Sequence, residues 1–230
     1  MGCSRCTLIV DSSRHCRTTV NVQKQADCAG TILAGGRSRR MGGGLKALEF
    51  LGGRPMLSHV IDRLAPQVDT LWLSVETASE KWSPFGLQQL PDPLPGSRGP
   101  LGGLLAALER AAAQAYDWLL LAPCDAPFLP LDLAGRLRGH AETTAATIVT
   151  VSRQGQLHPV FSLWRRDELA CVEDAVRGQG MAGFRAFLDS RPHAVLEWNE
   201  GDQHPFFNVN HRTALECAEA RLAESRGTES

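Results

Sequence analysis

The chain has 230 residues, enough to bury one substantial core, and fits a single domain with a short appendage. Its 24 basic and 25 acidic residues give a net charge of −1, so no overall field favours nucleic acid or an acidic membrane surface. No apolar run approaches the roughly 20 residues of a membrane span, and the N-terminus lacks the apolar core of a secretory signal. We therefore expect a cytoplasmic protein with neither nucleic-acid nor membrane partners.

The N-terminal segment is unusually rich in cysteine and holds four of the seven: Cys3, Cys6, Cys16 and Cys28. Cys3 and Cys6 have the spacing of a zinc-binding pair, but the remaining cysteines and His15 match no standard zinc site. The segment is polar and has no periodicity. We expect residues 1–28 to be a disordered extension, or the result of a start codon placed too far upstream, before one domain of residues 29–230.

The first predicted element is a short apolar strand that runs through Leu33 into a loop with five glycines and three arginines, closed by Lys46. Glycine lets backbone N–H groups approach a ligand closely and tolerates positive φ. Successive N–H groups turned inward form an anion nest, to which Lys46 adds a point charge. The pattern predicts phosphate binding directly after a strand.

Two common phosphate loops are excluded by spacing. A Walker A loop needs G-x-x-x-x-G-K-[ST], but Leu45 precedes Lys46 and Ala47 follows it. Gly42 and Gly44 lead to Ala47 rather than to a third glycine, so the dinucleotide fingerprint also fails. A flexible basic surface loop would not explain this glycine density behind a buried strand.

Beyond the loop, strand and helix patterns alternate. Helical spacing covers residues 56–64, the helix that begins near Leu101, residues 167–177 and the segment from Arg212 onward; apolar strands are predicted at 71–75, 118–122, 146–151 and 160–163. Such alternation predicts an α/β fold with three layers, an open, mostly parallel sheet with helices on both faces. These sheets bind ligands at the carboxyl ends of their strands.

One such strand end carries Asp125, which directly follows the apolar run 118–122 and lies between two prolines. Mg²⁺ prefers one or two carboxylates together with phosphate oxygens and water, so Asp125 is a candidate metal ligand. The alternative is that Asp125 caps the next turn. Asp92 lies in a Pro/Gly-rich connection, where its carboxylate could accept two hydrogen bonds from a guanine edge or serve only as a turn residue.

Three further polar side chains lie towards the C-terminus. His158 precedes Pro159 at the start of a strand, where a structural or a functional role is open. Asn208 and Asn210 alternate, and in a strand both would point to one face, where two amides can fix a phosphate or a polar heterocycle.

The motif Leu33-Ala-Gly-Gly-x-Ser-x-Arg-Met-Gly, followed by Lys46 and Gly53-Arg-Pro55, resembles the signature of Rossmann-like nucleotidyltransferases. Over about residues 29–225 the chain most resembles the molybdenum cofactor guanylyltransferases. That resemblance implies transfer of GMP from GTP to the phosphate of molybdenum-molybdopterin, with Mg²⁺ as cofactor and pyrophosphate as second product. Molybdoenzymes or their chaperones would receive the guanine dinucleotide cofactor.

The resemblance also implies a role for each candidate residue. Catalysis falls to Arg40, Lys46 and Asp125, with Asp125 as the metal ligand. The acceptor would contact His158, Asn208 and Asn210. The implied nucleotide-binding set is Leu33, Ala34, Gly35, Gly36, Lys46, Ser74, Asp92 and Asp125.

The chain departs from the family pattern in two places. Ser74 stands where the family usually has an asparagine that contacts the base, which weakens the expectation of strict GTP selectivity. Asn210 is followed by His211-Arg212 rather than Thr-Pro. A cytidylyltransferase for the same cofactor and a sugar-phosphate nucleotidyltransferase are the enzymatic alternatives. A nucleotide-binding partner of molybdoenzymes without turnover is a third, which the intact Lys46 and Asp125 disfavour.

Overall fold

A computed structural model of the chain describes residues 27–35, 45–94, 99–199 and 204–227. The predicted phosphate loop beyond Gly35, including Gly36 and Arg40, and all but the last two residues of the predicted extension lie outside these ranges. No helix within the ranges is long and apolar enough to cross a membrane.

Strands and helices alternate along most of the chain. In chain order they are β1 (Cys28–Leu33), β2 (Phe50–Leu51), β3 (Arg54–Pro55), α1 (Met56–Leu64), β4 (Thr70–Val75), β5 (Gln88–Pro91), α2 (Pro100–Ala113), β6 (Trp118–Pro123), α3 (Leu133–Thr144), β7 (Ile148–Arg153), β8 (Gln156–Arg165), α4 (Leu169–Glu173), α5 (Phe184–Asp189), β9 (Ala194–Glu197) and α6 (Arg212–Gly227). Short 3₁₀ turns precede or follow several of them, the first at Lys46–Leu48.

Seven of the strands form one sheet in the order β5-β4-β1-β6-β8-β7-β9, while β2 and β3 form a separate hairpin. Among the strands that the described residues form in the large sheet, only β8 runs antiparallel to its neighbours. The predicted fold class, an open, mostly parallel α/β sheet, is confirmed.

Helices cover both faces of the sheet, because strand residues alternate between two apolar cores. In β6, Leu120 and Ala122 belong to the core shared with α1 and α3, whereas Leu119 and Leu121 belong to the core shared with α2, α4 and α5. A third, smaller core packs α6 against β2 and the residue Phe128. The apolar run of β6 is continuous because both of its faces are covered.

Several predicted bounds differ from the structure. The helix predicted at 167–177 is divided into a 3₁₀ turn (Arg166–Glu168), α4 and a π turn (Asp174–Gly178). The strands predicted at 146–151 and 160–163 are displaced or longer, as β7 and β8. No prediction covered β5, α3, α5 or β9.

The β7–β8 hairpin carries an irregularity that matters for the site. Thr150 pairs with Ser162, but the next residue, Val151, pairs with His158, so three residues of β8 bulge out of register. Pro159, which has no N–H for the ladder, lies in this bulge. Because β7 is parallel to β6, the hairpin tip at Gln154 and Gly155 lies at the carboxyl edge of the sheet.

Candidate functional site

The candidate site lies along the carboxyl edge of the sheet, around the point where strand order reverses. The chain passes from β1 outward to β4 and β5 and then returns to place β6 on the other side of β1. Crevices at such reversal points are where open α/β sheets bind ligands. The sequence-predicted residues follow the strand order along this edge: Asp92 after β5, Ser74 in β4, Leu33 in β1, Asp125 after β6, and His158 in β8.

The end of β1 is fixed from both sides. The Ala34 N–H donates to the Ser74 carbonyl at 2.8 Å, and the Cys124 N–H donates to the Leu33 carbonyl at 3.2 Å. A Cβ added to Gly35 would lie 3.3 Å from the Glu76 backbone nitrogen, which is closer than ordinary packing allows. Glycine at position 35 therefore lets the chain leave β1 close to its neighbour.

Lys46, Asp125 and Asn210 form a charged cluster at the centre of the edge. The Lys46 Nζ donates to Asp125 Oδ2 at 3.1 Å and also to the Asn210 side-chain oxygen. The Val209 N–H donates to the Asp125 carbonyl at 2.8 Å, which holds the segment around Asn210 against the end of β6. The structure thus brings together two residues that the sequence assigned to catalysis and nucleotide binding, Lys46 and Asp125, and one that it assigned to the acceptor, Asn210.

The Asp125 carboxyl lies in a poorly solvated place, with 8% of the residue exposed. Burial raises the pKa of this carboxyl above its ordinary value, although the charge and hydrogen bond of Lys46 oppose the shift. One lysine therefore does not fully compensate the buried negative charge. Burial also raises the pKa of the Cys124 thiol, which stays protonated and inert.

These residues fit a divalent cation. Within the described ranges no group of three or more His, Cys, Asp or Glu side chains could hold a metal ion, so an ion at Asp125 would need ligands from the substrates or from water. A single carboxylate with phosphate oxygens and water is a donor set that Mg²⁺ accepts. Burial raises the pKa of Asp125 even beside Lys46, so a further positive charge at its carboxylate would be favourable. Its role as a metal ligand stays a prediction.

A second group of residues surrounds the first turn of α2. A Cβ added to Gly103 would collide with the Ser74 Oγ and lie 2.7 Å from Leu33 Cδ2, and one added to Gly102 would lie 2.7 Å from Asp92 Oδ2. The two glycines therefore let α2 approach three of the predicted nucleotide-binding residues. Asp92 also accepts a hydrogen bond from the Leu94 N–H at 3.1 Å, as a turn residue would.

The predicted acceptor residues line a cavity of about 360 Å³ on the other side of the charged cluster. Its walls come from the β7–β8 hairpin tip and from the segment before α6: Arg153, Gln154, Gln156, His158, His204, Phe206, Phe207, Asn208 and Asn210. Asn210 belongs to both the cavity and the charged cluster, so the two adjoin at this residue.

The prediction that residues 207–210 form a strand is wrong. This segment has no ladder partner and crosses the carboxyl edge instead of joining it, held by the bond from Val209 to Asp125. Its residues still alternate, because Val209 is buried against α6 while Asn208 and Asn210 line the cavity. Asn208 and Asn210 therefore both line the cavity, but not because they lie in a strand.

His158 is packed among aromatic rings. Its ring lies 5.2 Å from that of Phe206 and 6.1 Å from that of Phe161, measured between centroids. Burial lowers the pKa of His158, and the positive charge of Arg153 lowers it further, so the imidazole is neutral at neutral pH. The histidine thus forms both a wall of the cavity and part of an aromatic cluster.

The sequence analysis missed Arg153, Gln156 and Phe206 as cavity residues. A signal was available, since a two-residue turn at Gln154 and Gly155 sets Arg153 opposite Gln156 and Val151 opposite His158. Directly paired residues share a face of a hairpin. The position of His158 could therefore have pointed to Arg153.

The fold and this edge define a nucleotide-handling transferase of the α/β class. Residues 30–195, well over half of the chain, match the model of the MobA-like NTP transferase domain, and the chain belongs to this family. The resemblance stated from the sequence is confirmed.

Similar proteins agree with the family assignment. A molybdenum cofactor guanylyltransferase of Rhodopseudomonas palustris is 41% identical over 200 residues, which cover 85% of this chain and 94% of the relative. One of Mesorhizobium japonicum is 37% identical over 86% of this chain and 97% of its own. Among solved structures, molybdopterin-guanine dinucleotide biosynthesis protein A of Archaeoglobus fulgidus shares the fold with a TM-score of 0.72 at 19% identity, covering 85% and 99% of the two chains.

Proposed function

We propose that this protein transfers GMP from GTP to the phosphate of molybdenum-molybdopterin, with release of pyrophosphate and formation of the guanine dinucleotide cofactor. The observation that carries the proposal is the charged cluster of Lys46, Asp125 and Asn210 between two groups of polar residues on one sheet edge. Two relatives that bear the name of this activity match 85% and 86% of the chain, at 41% and 37% identity.

The two reactants would lie on opposite sides of the cluster. Leu33, Ser74 and Asp92, around the glycines of α2, would hold the nucleoside, and the loop from Gly35 to Lys46, including Gly36 and Arg40, would hold the triphosphate. His158, Asn208 and Asn210 would hold the acceptor in the cavity. This order would bring the acceptor phosphate and the α-phosphate of GTP together beside Asp125.

The chemistry requires alignment and charge neutralisation more than proton transfer. A phosphomonoester is mostly a dianion near neutral pH, because its second pKa is about 6, so the attacking oxygen needs no general base. Lys46 offsets charge on the phosphates, and Asn210 holds Lys46 in place. Asp125 would hold Mg²⁺, which would supply positive charge to offset the negative charge of the phosphates.

Cytidylyl transfer to the same acceptor is the second candidate function, and Ser74 is the residue that supports it. The residue is 4% exposed, and its short hydroxyl offers one donor and acceptor group where an amide would offer two separate ones. Guanine selection would then depend mainly on Asp92 and the backbone near Leu33.

The direct experiment supplies the protein with molybdopterin loaded with molybdate, Mg²⁺ and each of the four NTPs, and identifies the dinucleotide formed. We expect the guanine product and none from the other three; preference for CTP would overturn the proposed specificity. Asp125→Asn should abolish product while Asp167→Asn, at an exposed ion pair with Arg165, should leave the rate unchanged. Full activity of Asp125→Asn would exclude its role in catalysis.

The predicted location and recipients follow from this activity. Since GTP is a cytoplasmic substrate, we place the enzyme in the cytoplasm. Its product would pass to molybdoenzymes or to their chaperones.

A further inference from the structure

The cavity holds two polar atoms whose hydrogen-bonding capacity the protein leaves unused. Arg153 Nη1 and Asn208 Oδ1 are both buried, and neither has a partner in the described part of the chain. Both residues line the cavity. Buried polar groups are nearly always paired, so a donor and an acceptor left unpaired beside one cavity indicate that an occupant supplies their partners.

The hairpin register directs Arg153 over the cavity. Arg153 pairs with Gln156 and Val151 with His158, so Arg153 and His158 stand on the same face of β7 and β8. The lowered pKa of His158 agrees with this placement, because the Arg153 charge contributes to it. Gln154 and Gly155, with φ of 51° and 75°, form the tight turn that fixes this register.

Glu197, the acidic residue beside this turn, forms no ion pair with Arg153. Glu197 accepts hydrogen bonds from the Ser152 hydroxyl and from the Gln154 N–H, the latter at 2.9 Å. No carboxylate within the described ranges forms an ion pair with Arg153. The guanidinium thus stays available for an anionic or carbonyl oxygen of a ligand.

The cavity has two chemically different ends. Asn210, at one end, contacts Lys46 next to the end of β6. Arg153 is on β7, two strands from β6, which corresponds to roughly 10 Å at ordinary strand spacing. Between them lie the neutral His158 ring and Phe206, 5.2 Å apart. A flat occupant about one heterocycle long fits between these ends.

We propose that Arg153 binds an oxygen of the acceptor's heterocycle, and that Asn208 accepts an N–H of the same ring. This inference rests on the proposed function and specifies how the acceptor is chosen. The required chemistry is a planar heterocycle that carries a carbonyl or anionic oxygen and a ring or amino N–H on its edge. Phosphomonoesters without such an edge, such as sugar phosphates, would reach Lys46 but leave Arg153 and Asn208 unpaired, and they would be rejected.

The test measures acceptor binding and turnover separately in the full-length protein. Binding of molybdopterin to wild type, Arg153→Gln, Arg153→Lys and Arg165→Gln is measured by equilibrium dialysis without GTP. Arg165→Gln is the control variant, because it removes the same charge at the end of β8 that is farther from His158. We expect Arg153→Gln to weaken molybdopterin binding roughly 10- to 100-fold, as loss of a charged hydrogen bond does, and Arg153→Lys to restore part of it.

Turnover distinguishes a ligand contact from a structural role. Arg153→Gln should raise the KM for molybdopterin and leave the dissociation constant of GTP and the thermal midpoint unchanged. Equal molybdopterin binding by Arg153→Gln and wild type, or a loss that Arg165→Gln reproduces, would overturn this inference alone. Arg153-dependent binding without guanylyl transfer would overturn only the proposed function. A wild-type protein that binds no molybdopterin would overturn both.

Discussion

Lys46 joins residues that are far apart in the chain, since its amine contacts Asp125 and Asn210, 79 and 164 positions away. Strand spacing alone could not reveal these contacts. The sequence indicated only that the loop closed by Lys46 and the strand end that carries Asp125 both follow strands, and parallel strand ends share one edge of a sheet. Asn210 reaches the cluster on a segment outside the sheet, which no periodicity in its sequence could indicate.

Replacement of Lys46 by alanine should lower kcat/KM for GTP by roughly 10²- to 10³-fold, because a preorganised charge near the phosphates is lost. Lys81→Ala is the matched control, since Lys81 carries the same charge but lies over the Trp82 ring, 5.2 Å from its centroid. Steady-state kinetics on both variants provide the measurement. An Lys46→Ala enzyme with wild-type kcat/KM would rule out the phosphate-binding role of the lysine.

His158 should make stability depend on pH. Its pKa is lowered in the folded protein, so as pH falls below the unfolded value of about 6.5 the unfolded chain takes up the proton first. Stability is therefore fully present above that value and falls as pH decreases towards the folded pKa. Urea unfolding of wild type and His158→Gln between pH 8 and pH 5 should show a smaller acid loss in the variant. An identical pH dependence in both would mean that His158 is not desolvated.

The pKa of His158 also tests the position of Arg153. Arg153 contributes to the lowered pKa of His158, so Arg153→Gln should move this pKa up towards its ordinary value. An NMR titration of the imidazole measures the change directly. An unchanged titration would place the guanidinium farther from His158 than the structure has it.

Among the helices, α2 depends on how its N-terminus is packed. Gly99 precedes α2 with φ of 70°, and a Cβ there would lie 2.6 Å from the carbonyl oxygen of Ala182. That oxygen accepts a hydrogen bond from the Leu101 N–H at 3.2 Å. The helix that approaches Ser74 and Asp92 is thus fixed by a backbone contact with the segment before α5.

Gly99→Ala should lower the free energy of unfolding by about 2–4 kcal/mol, from backbone strain together with displacement of the Ala182 carbonyl. Gly155→Ala is the matched control, because Gly155 has φ of 75° but no atom near its missing Cβ. It should lose only about 1 kcal/mol, the cost of the backbone conformation. Urea denaturation of both variants isolates the packing contribution; equal losses would show that the Ala182 contact costs nothing.

The sequence predicted the strands and helices with a clear pattern of buried residues and missed those without one. β6 and α1 were predicted because a doubly covered strand and a helix with one buried face leave clear patterns. β5 and β9 are four-residue strands at the sheet edges, too short and too polar to give such a pattern. The division of residues 166–178 into three kinds of turn depends on local hydrogen bonding that periodicity does not contain.

At the level of the whole molecule, the described residues of the candidate site begin with Leu33, at the end of β1. Asp27 ties the start of the domain to the fold, since its carbonyl accepts from the Trp118 N–H at 2.9 Å and its carboxylate pairs with Arg138 at 2.7 Å. The family match begins at residue 30. The domain boundary predicted between residues 28 and 29 stays a prediction, although β1 already begins at Cys28.

If residues 1–28 form the extension predicted from the sequence, deletion of residues 1–24 should leave the rate of guanylyl transfer within roughly twofold of the full chain, because extensions of that kind tolerate change. The measurement compares kcat of both proteins, with metal analysis of the full chain as a check on Cys3 and Cys6. A large loss of activity, or one zinc per full-length chain, would assign a role to the deleted segment.

The antiparallel strand β8 divides the carboxyl edge of the sheet into a half that carries the nucleotide residues and a half that carries the β7–β8 hairpin tip. This division suggests how members of the family could differ in their acceptors. The strands next to the nucleotide residues continue the parallel core, whereas the opposite half ends in one hairpin whose tip is a two-residue turn. If Arg153 selects the acceptor as proposed, changes at that tip should alter which acceptors bind and leave GTP binding intact. Exchange of this hairpin between relatives should therefore be a route to new acceptors with an unchanged nucleotide donor.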